Sequence, residues 1–150
     1  MYNCYMEVIK YSFDQISDIS RSLASTAKKH NFTNVIGIAR GGLIPAAIIS
    51  YELDIPLLTI TVSSYNKKEK SEFKVIQDFN IDALDKNSNI LIVDDICDTG
   101  ETMGWVSSKL SQARIKNSIT CIFTKPRHTE YLDFYGTVVP DNKWIEFPWE

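Results

Sequence analysis

The sequence predicts an α/β protein whose mostly parallel, twisted sheet is flanked by helices on both faces. Short runs of β-branched and other apolar residues recur along the chain, as in 35–39 and 90–93. Segments with apolar residues at helical spacing lie between those runs, which is the pattern of strand and crossover helix. The chain has 150 residues, 44% of them hydrophobic, enough for one ordinary domain with a buried core. We therefore expect a single domain over residues 1–150.

Apolar periodicity predicts three helices, over residues 13–30, 43–51 and 102–110. The residues that share one face of the first helix are Ile16, Ile19, Leu23 and Ala27. Asp14 stands where it can cap the start of that helix. The second helix has Pro45 in its first turn, where a missing backbone N–H costs little. The third helix follows the most polar turn of the chain.

Six apolar, β-branched runs predict strands, at 35–39, 56–62, 73–79, 90–93, 118–124 and 137–139. The stretch 63–71 is polar and rich in lysine, which predicts a mobile loop. Residues 141–150 form an aromatic tail without regular periodicity. In parallel sheets of this kind, ligands bind beyond the carboxyl ends of the strands. We therefore expect the functional residues in the loops that follow strands.

Composition and charge narrow the class of protein. The net charge of −3 disfavours wholesale binding to nucleic acid or to an anionic membrane. No apolar run approaches the roughly 20 residues of a membrane-spanning helix, and the first residues lack the pattern of a signal peptide. Cys4, Cys97 and Cys121 are scattered, without zinc-site spacing or the even count of a disulfide framework. We expect a cytoplasmic protein with small-molecule partners and no nucleic acid.

The strand predicted at 90–93 runs directly into a dense set of polar residues. Those residues are Asp94, Asp95, Asp98, Thr99, Gly100, Glu101 and Thr102. Acids at a strand end can hold ribose hydroxyls or a hydrated magnesium ion. A Thr-Gly-x-Thr turn before a helix presents N–H groups and hydroxyls to a phosphate. An ordinary strand–turn–helix with Asp98 or Thr99 as N-cap explains one acid, but not the adjacent pair before it.

Arg40-Gly41-Gly42 follows the strand at 35–39 and begins the next helix. The two glycines let the backbone approach a ligand closely, and Arg40 with the helix N-terminus favours an anion. A plain tight turn is the alternative. Taken alone, so short a motif is weak evidence.

Two further segments are candidates for binding. The loop at 63–74 is either a solvated charged loop or a lid that closes over a ligand. Lys125 follows the strand at 118–124 and is expected in the same crevice, where it can donate to a carbonyl oxygen. An aromatic ring such as Trp144 can stack on a flat base. The alternative is that Lys125 is solvated and Trp144 merely packs.

Three of these segments carry a resemblance to a known family. Residues 90–102 resemble the phosphoribosyl-pyrophosphate (PRPP) signature of type I phosphoribosyltransferases. The motifs that resemble the bacterial xanthine-guanine subgroup are Ser63-Ser64-Tyr65, Phe123-Thr124-Lys125-Pro126 and 144–150. The resemblance runs from about residue 35 to the end. It implies the type I phosphoribosyltransferase fold, with a base-binding hood at about 125–150 and a mobile lid at about 63–74.

The resemblance implies purine salvage, by transfer of phosphoribose from PRPP to N9 of a 6-oxopurine with Mg²⁺. Asp94 and Asp95 would contact the ribose hydroxyls and the metal. Asp98 would act as the acid or base beside N7. The backbone from Asp98 through Thr99, Gly100 and Glu101 to Thr102 would hold the 5′-phosphate.

The resemblance also assigns the remaining binding residues. Lys125 would donate to O6 of the base, Trp144 would stack on it, and the Ile145 backbone would meet its 2-substituent. Arg40 and Gly41 would bind pyrophosphate in a loop that often contains a cis peptide, with help from Lys70 and Lys74. Members are usually homodimers or homotetramers.

Two features depart from the subgroup. Ser71 stands where its lid commonly carries an Arg, and Arg127-His128-Thr129 replaces an expected small, glycine-containing turn. Cys97 lies in the PRPP loop, as a small apolar filler or as an oxidation-sensitive thiol. The alternatives to a 6-oxopurine enzyme are a phosphoribosyltransferase for another oxo-base and a PRPP- or nucleotide-sensing regulator on the same fold.

Overall fold

The computed structural model describes residues 6–67 and 70–150, without the side chains of 64–72. The described residues form eight strands and three α-helices, with three short 3₁₀ helices between them. The strands are β1 (Glu7–Lys10), β2 (Asn34–Ala39), β3 (Leu57–Lys67), β4 (Lys70–Gln77), β5 (Asn89–Cys97), β6 (Lys116–Thr124), β7 (Phe134–Val138) and β8 (Lys143–Glu146). The α-helices are α1 (Phe13–Ala27), α2 (Leu43–Leu53) and α3 (Glu101–Gln112). Short 3₁₀ helices cover Lys28–His30, Ile81–Ala83 and Pro126–Tyr131. None of the helices in the described ranges is both long and apolar enough to cross a membrane.

Six strands form one sheet in the order β4-β3-β2-β5-β6-β7. Every neighbouring pair is parallel except β3 with β4. Side chains of the central strands alternate between two cores: Leu91 and Val93 face α1 and α2, whereas Ile90 and Ile92 face α3. This alternation explains the continuous apolar run in β5, because both faces of a parallel sheet are covered. The predicted α/β fold with helices on both faces is confirmed.

The start of α1 differs from the prediction. Ser12, not Asp14, is the N-cap: its Oγ accepts from the Gln15 N–H at 3.2 Å, and the Gln15 side chain accepts from the Ser12 N–H at 2.9 Å. This reciprocal pair is a capping box and satisfies two backbone donors. Asp14 lies in the first turn of the helix, where its negative charge interacts favourably with the helix N-terminus.

Two segments predicted as irregular are strands. The stretch 63–71 belongs mostly to β3 and β4, which pair antiparallel from Thr61 opposite Gln77 to Lys67 opposite Lys70. The predicted irregular tail contains β8, which pairs parallel with β1 in a separate two-stranded sheet. A strand at 7–10 was not predicted. This small sheet joins the beginning of the chain to the predicted hood.

The central strand is also longer than predicted. β5 continues from the apolar run through Asp94, Asp95 and Cys97, and it pairs with β6 as far as Thr124. The two acids therefore lie within the last residues of the strand rather than in the loop after it. Backbone pairing with β6 fixes their position relative to Lys125, the residue that follows β6.

Candidate active site

Asp94 and Asp95 lie at the carboxyl end of the central strand, and both are partly buried. The Asp95 N–H donates to Asp94 Oδ1 at 2.8 Å, and the Ile96 N–H donates to Asp95 Oδ1 at 2.7 Å. Among the side chains that the structure describes, no Lys or Arg forms an ion pair with either carboxylate. The pair therefore has backbone donors but no described counter-charge.

Burial raises the pKa of Asp94 well above its ordinary value of 3.8, and the neighbouring Asp95 charge raises it further. Burial also raises the pKa of Asp95, with an added contribution from the Glu150 carboxylate. Two adjacent carboxylates in a partly dry site repel each other and lose hydration. A cation bound there would relieve both costs.

The Arg40-Gly41-Gly42 turn packs directly against these acids. A Cβ added to Gly41 would lie 2.0 Å from Asp95 Oδ2, and one added to Gly42 would lie 2.8 Å from Val93 O. At Gly42 the nearest atoms are backbone, so only glycine fits there; at Gly41 a side chain would displace the Asp95 carboxylate. The Ala39–Arg40 peptide is cis, as the resemblance implied. Arg40 and Gly41 line a cavity of about 440 Å³ together with Asp95 and Glu150.

The turn from Asp98 to Thr102 surrounds a second cavity, of about 400 Å³, at the start of α3. Gly100 is the N-cap, with φ of +76°, and it supplies no side-chain hydrogen bond to the helix. Thr99 Oγ1 accepts from the Glu101 N–H at 3.3 Å. The N-cap is therefore Gly100, and the prediction of Asp98 or Thr99 as the cap in an ordinary turn is wrong. Apart from the Glu101 N–H, the first N–H groups of α3 donate to no capping side chain among the described residues, and such groups can bind an anion.

Lys125 is buried at the end of β6, with 8% of its surface exposed. Its ammonium group donates to the carbonyl oxygens of Pro140 at 3.0 Å and of Lys143 at 2.7 Å. The alternative of a solvated lysine is therefore wrong. An ammonium group has three donors, and the third has no partner among the described residues. That donor is left for a ligand.

Lys125 lines a third cavity, of about 140 Å³, between the sheet and the small β1–β8 sheet. The walls include Asp95, Asp98, Trp144, Ile145 and Phe147. Trp144 is half exposed and Ile145 is buried, because alternate residues of β8 face opposite sides. This cavity is small, has aromatic walls and opens beside the acids of β5, which suits a flat heterocycle.

Sequence reasoning missed three residues of the site. Arg127 Nη2 lies 3.5 Å from Asp98 Oδ1, and its Nη1 donates to Asp141. Tyr131 packs against Gly100, and a Cβ added to Gly104 would lie 2.4 Å from its hydroxyl. Glu150 lines two of the three cavities. The only signal for Glu150 was its position after Pro-Trp in the tail motif.

The predicted lid and pyrophosphate lysines are less well defined. Ser63 lies opposite Lys74 in the β3–β4 pair, and Lys74 is exposed and does not line the three cavities. The side chains of Ser64, Tyr65, Lys70 and Ser71 lie outside the described residues. Phe73, on β4, lines the cavity at the start of α3. The middle of the hairpin therefore contacts the site through Phe73.

Cys97 ends β5 and is buried beneath the turn. Burial raises the pKa of its thiol to about 11, and the charges of Asp94 and Asp98 add to the shift. A thiol with this pKa is almost wholly protonated near neutral pH and reacts poorly. This favours the apolar-filler interpretation over an oxidation sensor.

Comparison with known proteins assigns the family. The phosphoribosyl transferase domain model matches residues 9–150. The chain belongs to the phosphoribosyl transferase family. It is 38% identical to a xanthine-guanine phosphoribosyltransferase of Cereibacter sphaeroides over 93% of the chain and 84% of the relative. It is 36% identical to one from Desulfotalea psychrophila, over 97% and 88%.

A solved structure agrees with this assignment. The purine phosphoribosyltransferase from Pyrococcus horikoshii superposes with a TM-score of 0.82 at 32% identity, covering 97% of this chain and 95% of that one. The predictions of this family, of its fold and of a phosphoribosyl-transferring enzyme are confirmed. As a member of this phosphoribosyltransferase family, the chain uses PRPP.

Proposed function

We propose that this phosphoribosyltransferase acts in purine salvage, transferring the 5-phosphoribosyl group of PRPP to N9 of guanine, xanthine or hypoxanthine. The products are the nucleoside 5′-monophosphate and pyrophosphate. The observation that carries the proposal is the buried Lys125, held by two carbonyls at the wall of a cavity that also contains Asp98 and Trp144. The relatives are named xanthine-guanine phosphoribosyltransferase and purine phosphoribosyltransferase, which supports a purine base as the substrate.

The donor set of the cavity favours an oxo over an amino purine. The third N–H of Lys125 would donate to an acceptor on the ligand, which O6 of guanine, xanthine or hypoxanthine supplies. Adenine would bring an amino donor against a donor and leave both unpaired. Trp144 would stack on the base and the Ile145 backbone would meet its 2-substituent. These two contacts would direct N9 of the base toward the carboxyl end of β5, where PRPP is proposed to bind.

Asp98 is the group proposed to handle the proton at N7. It lies in the turn between the base cavity and the cavity at the start of α3 and lines both. As N9 bonds to C1 of the ribose, the bond between C1 and the pyrophosphate oxygen breaks and pyrophosphate leaves with the bonding electrons. The hydrogen on N7 of the base becomes acidic, and the Asp98 carboxylate would accept that proton. A positioned carboxylate contributes general acid–base catalysis of about 10²- to 10⁴-fold.

PRPP would lie across the three cavities. Its 5′-phosphate would occupy the α3 cavity, bound by the backbone and hydroxyls from Asp98 to Thr102. Its pyrophosphate would occupy the cavity at Arg40 and Gly41, where an exposed guanidinium can bind it bidentately. Lys70, Lys74 and the segment 63–74, with Ser63, Ser64 and Tyr65, are proposed as the closing lid.

The residues present fit a magnesium ion. Asp94 and Asp95 offer hard oxygen ligands without a described counter-charge, and their raised pKa values reflect the burial and repulsion that a cation would relieve. Magnesium is commonly held by one or two carboxylates plus substrate phosphates. When bound, the ion would neutralise charge on the leaving pyrophosphate. Asp94 and Asp95 would also orient the ribose hydroxyls.

A homodimer or homotetramer in the cytoplasm is proposed for the assembly. Helix α2 is apolar on nearly every side, and its Leu43 and Tyr51 are exposed, Tyr51 by 88%. Exposed apolar helix faces commonly mark contacts between chains. Sedimentation of the protein and of a Leu43→Glu variant tests this, because a monomeric wild type would contradict it.

Product identification tests the proposed reaction. The protein is incubated with PRPP, Mg²⁺ and one base at a time: guanine, xanthine, hypoxanthine, adenine or uracil. Chromatography should find the 5′-monophosphates of the oxopurines only. Product from uracil alone would favour an enzyme for another oxo-base. No product with any base would favour a nucleotide-sensing regulator, for which RNA titration at two salt concentrations should then give salt-dependent binding.

A further inference from the structure

A short 3₁₀ helix after Lys125 contacts the PRPP turn at both ends. This segment, Pro126–Tyr131, is where the sequence departs from the small turn expected of the subgroup. Arg127, near its beginning, reaches Asp98. Tyr131, at its end, packs on Gly100 and Gly104 in the first turn of α3. The segment therefore spans the same residues that surround the α3 cavity.

The contact at the beginning is a bridge between two carboxylates. Arg127 Nη2 lies 3.5 Å from Asp98 Oδ1, and it also donates to the Asp98 carbonyl at 3.4 Å. Nη1 of the same guanidinium donates to Asp141, in the turn before β8. A planar guanidinium can hold two partners in fixed directions at once. Arg127 thus joins the PRPP turn to the turn that leads into the base cavity.

The contact at the other end is steric. The Tyr131 ring lies 3.3 Å from where a Gly100 Cβ would be, and its hydroxyl donates to the Gly100 carbonyl at 3.4 Å. Gly100 has the positive φ that starts α3, so the ring covers the residue on which the turn depends. Movement of Gly100 toward the ring would require Tyr131 to move, and movement away from it would break the hydrogen bond to the Gly100 carbonyl.

We propose that Arg127 and Tyr131 are positioning residues, which brace the PRPP turn from the base side: Arg127 aligns the Asp98 carboxylate, and Tyr131 holds the phosphate-binding backbone. The proposal rests on the proposed function, in which Asp98 is the acid or base and the turn binds the 5′-phosphate. Neither residue needs to touch a reacting atom. Their effects should fall on different kinetic constants.

The experiment compares Arg127→Gln, Arg127→Lys and Tyr131→Ala with wild type. Arg21→Gln is the matched control, because Arg21 is similarly exposed and pairs with Glu52 at 3.2 Å, far along the chain from the turn. Arg127→Gln should lower kcat about fivefold with little change in KM for PRPP. Loss of an exposed ion pair can reduce the population of the aligned Asp98 conformation by about that factor. Arg127→Lys should recover only part of kcat, because an ammonium cannot serve both carboxylates. Tyr131→Ala should mainly raise KM for PRPP.

Amide hydrogen exchange separates this proposal from the proposed function. Exchange at residues 98–102 should accelerate in Arg127→Gln and Tyr131→Ala but not in Arg21→Gln. If the wild-type protein makes no nucleotide, the proposed function fails. The exchange result still tests whether Arg127 and Tyr131 hold the turn at residues 98–102 in place. Unchanged exchange together with wild-type kcat and KM in both variants would overturn it. Equal losses in Arg21→Gln would overturn it as well.

Discussion

The Lys125 ammonium group donates to the backbone carbonyl of Lys143 at 2.7 Å, and this bond joins the end of β6 to the start of β8. A second bond from the same group reaches Pro140, so one buried side chain fixes the turn that closes the base cavity. Lys125, the proposed base-recognition residue, therefore also stabilises the wall of the base cavity. Replacement of Lys125 should therefore affect both base binding and stability.

Lys125→Ala should weaken guanine and hypoxanthine alike. A hydrogen bond to a charged donor contributes about 1.5–3 kcal/mol, so KM for either base should rise about ten- to a hundredfold. Two partly buried backbone hydrogen-bond acceptors, the Pro140 and Lys143 carbonyls, also lose their donor, so Tm should fall by several degrees. Steady-state kinetics with each base test this, and Lys116→Ala, at the exposed opposite end of β6, is the control. Unchanged KM for both bases would refute the O6 contact.

Asp98→Asn should separate chemistry from binding. An amide keeps the shape of the side chain but cannot exchange the N7 proton, so kcat should fall about a hundredfold or more. PRPP should still bind, because the turn offers its backbone to the phosphate. Turnover and PRPP titration by calorimetry measure the two quantities. Wild-type turnover would exclude the acid–base role.

Stability should depend on pH and Mg²⁺ through Asp94 and Asp95. Their pKa values are raised in the folded protein, so the folded state holds protons that the unfolded chain releases. The free energy of unfolding contributed by this pair therefore falls as the pH rises from about their ordinary value of 3.8 through the raised pKa values. Mg²⁺ favours the deprotonated pair and should restore stability above that range.

Melting curves test this linkage. Mg²⁺ should raise Tm more at pH 8 than at pH 5, by roughly 3 °C for each kcal/mol. Asp94→Asn should raise the Tm of the metal-free protein at pH 8 and reduce the Mg²⁺ effect. Asp18→Asn, an exposed acid on α1, is the matched control. An Mg²⁺ effect independent of pH and of Asp94 would contradict the assignment.

Gly41→Ala should impair use of PRPP. The new methyl group would lie 2.0 Å from Asp95 Oδ2, so either the turn or the carboxylate must move. Because both belong to the proposed pyrophosphate and metal site, KM for PRPP should rise at least about tenfold. Circular dichroism checks that the fold persists. A normal KM for PRPP in a folded variant would show that this turn does not bind pyrophosphate.

Cys97 should resist alkylation in the folded protein. Its thiol is buried and has a pKa of about 11, so little thiolate forms at pH 7.5. Peptide mass spectrometry after iodoacetamide treatment should find Cys97 unmodified until the protein is unfolded in urea. Rapid alkylation of the native protein would revive the oxidation-sensor interpretation.

The parts of the site that could be predicted are those formed by residues close together in the sequence. Adjacent acids after an apolar run indicated a strand end, and the glycines after β2 indicated a close approach; the structure brings both together at Asp95 and Gly41. The Ser12–Gln15 capping box was also readable, because its two residues stand three apart.

Contacts between distant segments could not be predicted. β1 and β8 are four-residue strands that pair across almost the whole chain, so neither carries a strong signal alone. The Arg127–Asp98 contact joins residues 29 apart in sequence and depends on how the 3₁₀ helix turns back over β5. The burial of Lys125 depends likewise on the carbonyls of Pro140 and Lys143.

Discrimination between bases that differ at the 6-position tests the proposed contact between Lys125 and O6 most directly. Pyrophosphate release from PRPP with Mg²⁺ is followed at several concentrations of hypoxanthine and of adenine, which differ at the 6-position. The value of kcat/KM should be at least about a hundredfold higher for hypoxanthine, because only an oxygen at the 6-position pairs with Lys125. Equal kcat/KM values for the two bases, or a preference for adenine, would contradict that contact.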